Sequence, residues 1–254
     1  MLILITAFPK SGSTFLSSAM ASLPGFGRAT FADWAGTLPL ISPDGVPSSS
    51  RREQELSHRL IDSLAGQRLV AQHHTCASEY TLRVIDGFDI TTLVLVRDIH
   101  DCMVSLAEHI AIESPEIPWA YFNDSIRQRD LRYRIDAVVD LVAGWYLKFY
   151  VSWMSTRPAN VFHYENIVRG GTDGMRDLLD RSGLVAREPR TFTAANVEAA
   201  MIQARGPGNR LNVGVKGRGD QLLSRQNRAV IERMAGYYPE IDFRPIGIGV
   251  DAEA

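Results

Sequence analysis

Residues 9 to 15 read Pro-Lys-Ser-Gly-Ser-Thr-Phe, which sets a lysine, three hydroxyl side chains and one glycine just ahead of an apolar helical pattern. Those residue types suit a polyanion. Gly12 lets the backbone come close to a ligand, Ser11, Ser13 and Thr14 offer hydroxyl donors, and Lys10 brings a charge. Later positions carry complementary chemistry. His73 and His74 can take a proton from a hydroxyl near neutral pH, and Arg97 can grip a phosphate with two parallel N–H donors. Lys216, Gly217 and Arg218, in the Gly-rich stretch "RGPGNRLNVGVKGRGD", form a second basic cluster, with Arg210 a further candidate. The obvious nucleotide pattern, GxxxxGK[ST], requires lysine directly after its second glycine. Here Lys10 comes two residues before the only glycine of the stretch, so that pattern fails.

The segments that would position these residues alternate between two periodicities. Leu2 to Thr6 is a short apolar run without alternation, as in a strand buried on both faces of a parallel sheet. Helical spacing from Thr14 to Leu23 then places Lys10 to Ser13 at a strand-to-helix turn, where outward N–H groups and the helix dipole favour an anion. Arg68 to His73, Thr91 to Val96 and Asn160 to His163 are further strands. Helices are expected from Ser50, opened by the capping box Ser50-Arg51-Arg52-Glu53, through Leu64, and over Ser78 to Ile85, Asp98 to Ile110 and Asp130 to Met154. Gly174 to Ser182, Ala194 to Ala204 and Ser224 to Tyr237 complete the pattern. It predicts an α/β fold with a parallel sheet and right-handed crossovers. Ligands of such sheets bind at the carboxyl ends of the strands, which is where Lys10, His73, Arg97 and Tyr164 fall. Pro24 to Ser50, with Phe26, Phe31 and Trp34, reads as a long loop of the kind that serves as a lid or binding segment.

The chain has 254 residues and a formal net charge of -2, which suits one α/β domain over 1–254 and gives no support to a broad nucleic-acid surface. Cys76 and Cys102 are the only cysteines and share no metal-ligand spacing, so a reducing compartment and no metal are expected. With neither a leader nor an apolar run of membrane-spanning length, a soluble cytoplasmic protein is expected.

With these residues in view, "FPKSGSTFL" resembles the 5′-phosphosulfate loop of the PAPS-dependent sulfotransferases, usually YPKSGTTWL. "LVRDIHDCMVSL" resembles their 3′-phosphate motif, in which serine follows arginine by eight residues, as Ser105 follows Arg97. "RLVAQHH" is similar to the strand ending in Lys-Thr-His that carries the family's base. "VFHYENI", after the Trp-containing "GWYLKFYVSW", looks like the family's "FLFYEDM", and "VGVKGRGDQLLS" is similar to its late Gly/basic loop. The order is that of the family from residue 4 to about residue 225.

The resemblance implies a bacterial, cytosolic-type sulfotransferase: a three-layer sandwich with a central parallel sheet, P-loop-kinase-like, with helical and loop insertions forming the acceptor site. It implies transfer of a sulfuryl group from PAPS to a hydroxyl of a small molecule, leaving adenosine 3′,5′-bisphosphate. Lys10 would stabilise the leaving phosphate and Ser11 to Phe15 would hold the phosphosulfate. Arg97 and Ser105 would hold the 3′-phosphate, Ser105 also restraining Lys10. Tyr164 and Phe15 would contact adenine, and Lys216, Gly217 and Arg218 would close over the nucleotide. Aligning the strand on "RLVAQH" favours His73 as the base, the preferred reading, whereas matching Gln72 to the family's polar residue favours His74. Neighbouring strand side chains face opposite sides, so one of the two enters the site. The family's lysine two residues before its base is replaced by Ala71 or Gln72, which puts that lysine's role in doubt here.

Segments 25–50, 114–123 and 204–215, with Trp34, Trp119 and Phe122, are expected to line the acceptor pocket. Glu108 and His109 read as a solvated helix face. An ATP-dependent small-molecule kinase, or a nucleotide-binding module without catalysis, are the alternatives.

Overall fold

The computed structural model describes residues 1–32, 55–112, 116–117, 120–205 and 217–249. Its chain begins with strand β1 (Leu2–Ala7), helix α1 (Ser13–Ala21) and a three-residue strand β2 (Gly27–Ala29). Then come α2 (His58–Ser63), β3 (Leu69–His73), α3 (Glu79–Gly87), β4 (Thr91–Val96) and α4 (Ile99–Ile112). A hairpin of β5 (Glu116–Ile117) and β6 (Ala120–Tyr121) leads to α5 (Asp124–Arg127) and the long α6 (Leu131–Thr156). Strand β7 (Val161–His163) precedes α7 (Tyr164–Arg181), α8 (Leu184–Arg187), α9 (Ala194–Ala204), α10 (Arg218–Leu222) and α11 (Arg225–Ala235).

Five strands form one parallel sheet in the order β2-β3-β1-β4-β7. Every residue of β1 is buried, because the strand lies mid-sheet with helices on both faces. Its side chains alternate between two cores. Ile3, Ile5 and Ala7 join Leu93 and Leu95 of β4 against α1, α7 and α9, while Leu2 and Leu4 join Val94 and Val96 against α4 and α6. Each such fully buried aliphatic side chain contributes about 1.5–3 kcal/mol, so the apolar runs add burial energy to the backbone ladders that join β1 to β3 and β4 at the centre of the sheet. The expected three-layer α/β sandwich is therefore the fold observed.

Boundaries moved where side-chain caps decide them. The helix expected from Ser50 begins at His58, with the Ser57 hydroxyl accepting from the Leu60 N–H; the Ser50–Glu53 box lies outside the described residues. Asp130 caps α6 by accepting from the Tyr133 N–H at 2.9 Å. The helix expected from Gly174 starts ten residues earlier, at Tyr164, and is broken at Gly171, whose φ of 52° no helix contains. Strand β2 escaped the sequence reading because its three residues sit in a Gly/Pro-rich segment at the sheet edge.

Candidate functional site

Strand β1 ends at Ala7, and the chain turns through Phe8 to Gly12 before α1 begins. Two hydrogen bonds shape that turn: the buried Ser11 hydroxyl donates to the Phe8 carbonyl at 2.7 Å, and Tyr146 donates from α6 to the Pro9 carbonyl at 2.8 Å. Ser11 thus supports the loop rather than presenting its hydroxyl to a ligand. Lys10 adopts φ of 67°. A non-glycine residue in that left-handed region costs about 1–2 kcal/mol, a strain that marks functional turns. Gly12, at φ of 82°, occupies the N-cap of α1 without a side chain to cap it. The first-turn N–H groups of α1 consequently make an anion seat, with the Thr14 side chain exposed beside it.

Strand β3 runs beside β1 with His73 opposite Thr6. Gln72 and His73 take opposite faces of this strand, and His74 follows directly after its last residue. Gln72 donates to the Ser13 hydroxyl at 2.8 Å, and His74 donates from Nδ1 to the Ala7 carbonyl at 2.7 Å. This bond places the His74 proton on Nδ1 and the basic lone pair on Nε2. The Nε2 of His73 instead accepts the Phe31 N–H at 2.9 Å, in a site only 3% exposed. Burial, with the His74 charge adding, lowers the His73 pKa to about 3. Burial also lowers that of His74, against the opposing effect of its bond to Ala7. Behind them Thr6 and Thr75 exchange hydrogen bonds at 2.8 and 3.0 Å, and Trp153 donates to the Thr75 carbonyl, which pins the chain just past His74.

On the opposite side of β1, strand β4 delivers Arg97 directly after its last residue. Its side chain is almost fully buried and held from three directions. Nη1 donates to the Lys10 carbonyl at 3.2 Å, Nη2 pairs with Asp101 at 3.4 Å, and the guanidinium lies 5.0 Å from the centre of the Tyr164 ring. Tyr164 also covers Gly12: a Cβ there would stand 2.3 Å from the ring. Gly12→Ala therefore combines a steric clash with a left-handed backbone. We expect it to destabilise the fold by about 2–4 kcal/mol, read as a lower denaturation midpoint. The same substitution at Gly66, where φ is 78° but nothing lies within 4 Å, should cost only about 1–2 kcal/mol.

Ser105 and His109 lie one turn apart on α4, and the Lys10 ammonium meets the His109 Nδ1 at 3.3 Å. Glu108 takes a doubled hydrogen bond from Arg218 of α10, which raises the Arg218 pKa. The solvated-face reading of Glu108 and His109 is thus corrected. Both are half-buried and paired with the site's cations, because α4 runs beneath the Lys10 turn. Only the match of their spacing to Ser105, at i+3 and i+4, could have signalled this from sequence. Asp98, which opens α4 and accepts the Asp101 N–H, has its pKa raised to about 6, chiefly by burial. The neighbouring Cys102 thiol is buried and pushed well up, hence unreactive.

The described structure thus brings Lys10, Gly12, Ser13, Thr14, His74, Arg97, Ser105, Tyr164, Gly217 and Arg218 to the carboxyl ends of the sheet's strands. Phe15 is buried in the core beside Ile5 and Leu16, and Phe122 is buried in the other core. Lys216, Arg210, Trp34 and Trp119 lie outside the described residues. Among the described residues, no group of His, Cys, Asp and Glu is arranged to hold a metal ion, and no helix is long and apolar enough to cross a membrane.

No protein-family model matches the chain, and no curated protein matches it in sequence. Among solved structures it is similar to mouse sulfotransferase SULT7A1 complexed with PAP, with a TM-score of 0.58 and 13% identity, over 92% of this chain and 81% of that one. It is also similar to retinol dehydratase in complex with androsterone and inactive cofactor PAP, with a TM-score of 0.57 and 11% identity, over 94% of this chain and 83% of that one. At such identities the likeness establishes the fold, which is that of the sulfotransferases.

Proposed function

We propose that the chain is a PAPS-dependent sulfotransferase acting on a hydroxyl of a small molecule. The observation that carries this reading is the pairing of two anion seats on adjacent strand tips. One is the α1 N-terminus with Lys10 at the end of β1; the other is the buried Arg97 at the end of β4, whose Leu95 pairs with Ala7. Neighbouring strands lie about 4.8 Å apart, so one ligand with phosphates on the 3′ and 5′ carbons of one ribose can reach both seats.

The residues fit such a nucleotide. The α1 N–H groups and Thr14 would hold the 5′-phosphosulfate, Arg97 and Ser105 the 3′-phosphate, and Tyr164, lying against both Gly12 and Arg97, would border the adenosine. Lys216, Gly217 and Arg218 remain proposed partners of the 3′-phosphate, although Arg218 spends its fork on Glu108. When bound, the nucleotide supplies the sulfuryl group that passes to the acceptor oxygen. His74 would take the acceptor proton on Nε2, and Lys10 would leave His109 to balance charge at the 5′-phosphate. His74 replaces the preferred His73 in this proposal because its Nδ1 bond to the Ala7 carbonyl fixes the ring at the end of β1, beside the Lys10 turn, whereas the His73 Nε2 already accepts from Phe31.

Thermal shift with adenosine 3′,5′-bisphosphate, ADP and ATP-Mg tests the reading. At a hundredfold excess over Kd the bisphosphate should add about 2.7 kcal/mol, a shift of roughly 5–10 °C at this size. Stabilisation by ATP-Mg alone would sink the proposal in favour of a kinase.

A further inference from the structure

We infer that Asp101 is a positioning residue that makes recognition of the 3′-phosphate one event shared by β4 and the segment entering α10. This rests on the nucleotide reading above. Its carboxylate is buried, with 3% of the residue exposed, and takes three bonds from two parts of the chain. Arg97 Nη2 approaches Oδ2 at 3.4 Å, the Gly217 N–H donates to the same oxygen at 3.1 Å, and the Gly219 N–H donates to Oδ1 at 2.8 Å. A buried carboxylate is stable only when its lone pairs are satisfied. The segment therefore cannot leave without stranding a charge, and the charge cannot change without releasing the segment.

Two glycines make the clasp possible. Gly217 holds φ of 86°, and a Cβ on Gly219 would stand 2.4 Å from His100 Cβ and 2.7 Å from the Asp101 nitrogen. Such contact lets the backbone reach the carboxylate directly. The same carboxylate orients the Arg97 fork, whose other arm is tied to the Lys10 carbonyl. Asp101 thus links the Lys10 turn, the arginine and the residues that follow Lys216, although it need not touch the nucleotide itself.

The experiment is titration calorimetry of the full chain and of Asp101→Asn with adenosine 3′,5′-bisphosphate and adenosine 5′-monophosphate. Amide replacement turns one acceptor into a donor that faces N–H groups. The bisphosphate affinity should fall about tenfold to a hundredfold, the loss expected of a charge-assisted network, while the monophosphate affinity changes less than about twofold. Should Asp101→Asn not fold, Gly219→Ala, which drives the segment off α4 and leaves the carboxylate in place, must show the same selective loss. An unchanged ratio between the two nucleotides in the folded variant overturns the inference. A wild-type chain that shows no preference for the bisphosphate overturns the nucleotide reading instead, and this inference with it.

Discussion

Lys10→Ala should lower the turnover of sulfuryl transfer by about a hundredfold to a thousandfold, the usual cost of removing one group that stabilises transition-state charge, while bisphosphate affinity falls only a few-fold. The distinction follows from where Lys10 stands. Its backbone belongs to the turn that receives Arg97 at the Lys10 carbonyl, and its ammonium rests against His109 at 3.3 Å. Ground-state anchoring therefore falls to the N–H groups and to Arg97, leaving the ammonium for the charge that develops during transfer. The left-handed backbone adds a second, opposite effect. Lys10→Gly relieves the strain at φ of 67° and should raise stability by about 1 kcal/mol, yet be as inactive as the alanine variant. Labelled-sulfate transfer under saturating donor, together with urea denaturation, reads both effects. A glycine variant that keeps full turnover would sink the role of the ammonium. An alanine variant that no longer binds the bisphosphate would recast Lys10 as an anchoring group.

The strand runs were legible because burial on both faces leaves short stretches dominated by apolar and β-branched residues: "TTLVLV" occupies Thr91–Val96 as read. The lysine turn was legible because so few residue types can build a strand-to-helix anion seat. The short β2 was not, since an edge strand of three residues needs little apolar sequence. Nor could sequence tell that Ser11 turns its hydroxyl back on Phe8, or that Asp101 collects two glycine N–H groups from more than a hundred residues away. Contacts of such separation leave no local pattern. Glu108 and His109 are the instructive case. On their own helix they look like surface residues, and only the packing of α4 beneath the Lys10 turn and beside α10 gives them partners.

The two adjacent histidines should separate cleanly by experiment. With His74→Ala, turnover should fall by about a hundredfold to ten thousandfold, the range for a lost general base, and stability by about 0.5–1.5 kcal/mol for the lost bond to the Ala7 carbonyl. In the wild type, kcat/KM should decline as pH falls through the His74 pKa. Because burial lowers that pKa from its ordinary 6.5, the acid limb should lie below pH 6.5 and vanish in the variant. His73→Ala should behave in the opposite way. It leaves the buried Phe31 N–H without the imidazole it donates to at 2.9 Å, a loss of about 1–3 kcal/mol, with turnover per folded molecule nearly intact. The sign of its pH effect follows from linkage. Unfolding raises the His73 pKa from about 3 to 6.5, so the unfolded chain binds the extra proton. Native stability is thus lost as pH falls from about 6.5 toward 3, at up to about 1.4 kcal/mol per pH unit, and the His73 variant should show a shallower slope. Denaturation midpoints at pH 7, 6 and 5, measured beside kcat/KM, decide between them. Inactivation by His73→Ala at undiminished stability, with His74→Ala fully active, would exchange the two assignments and turn the catalytic face of β3 around.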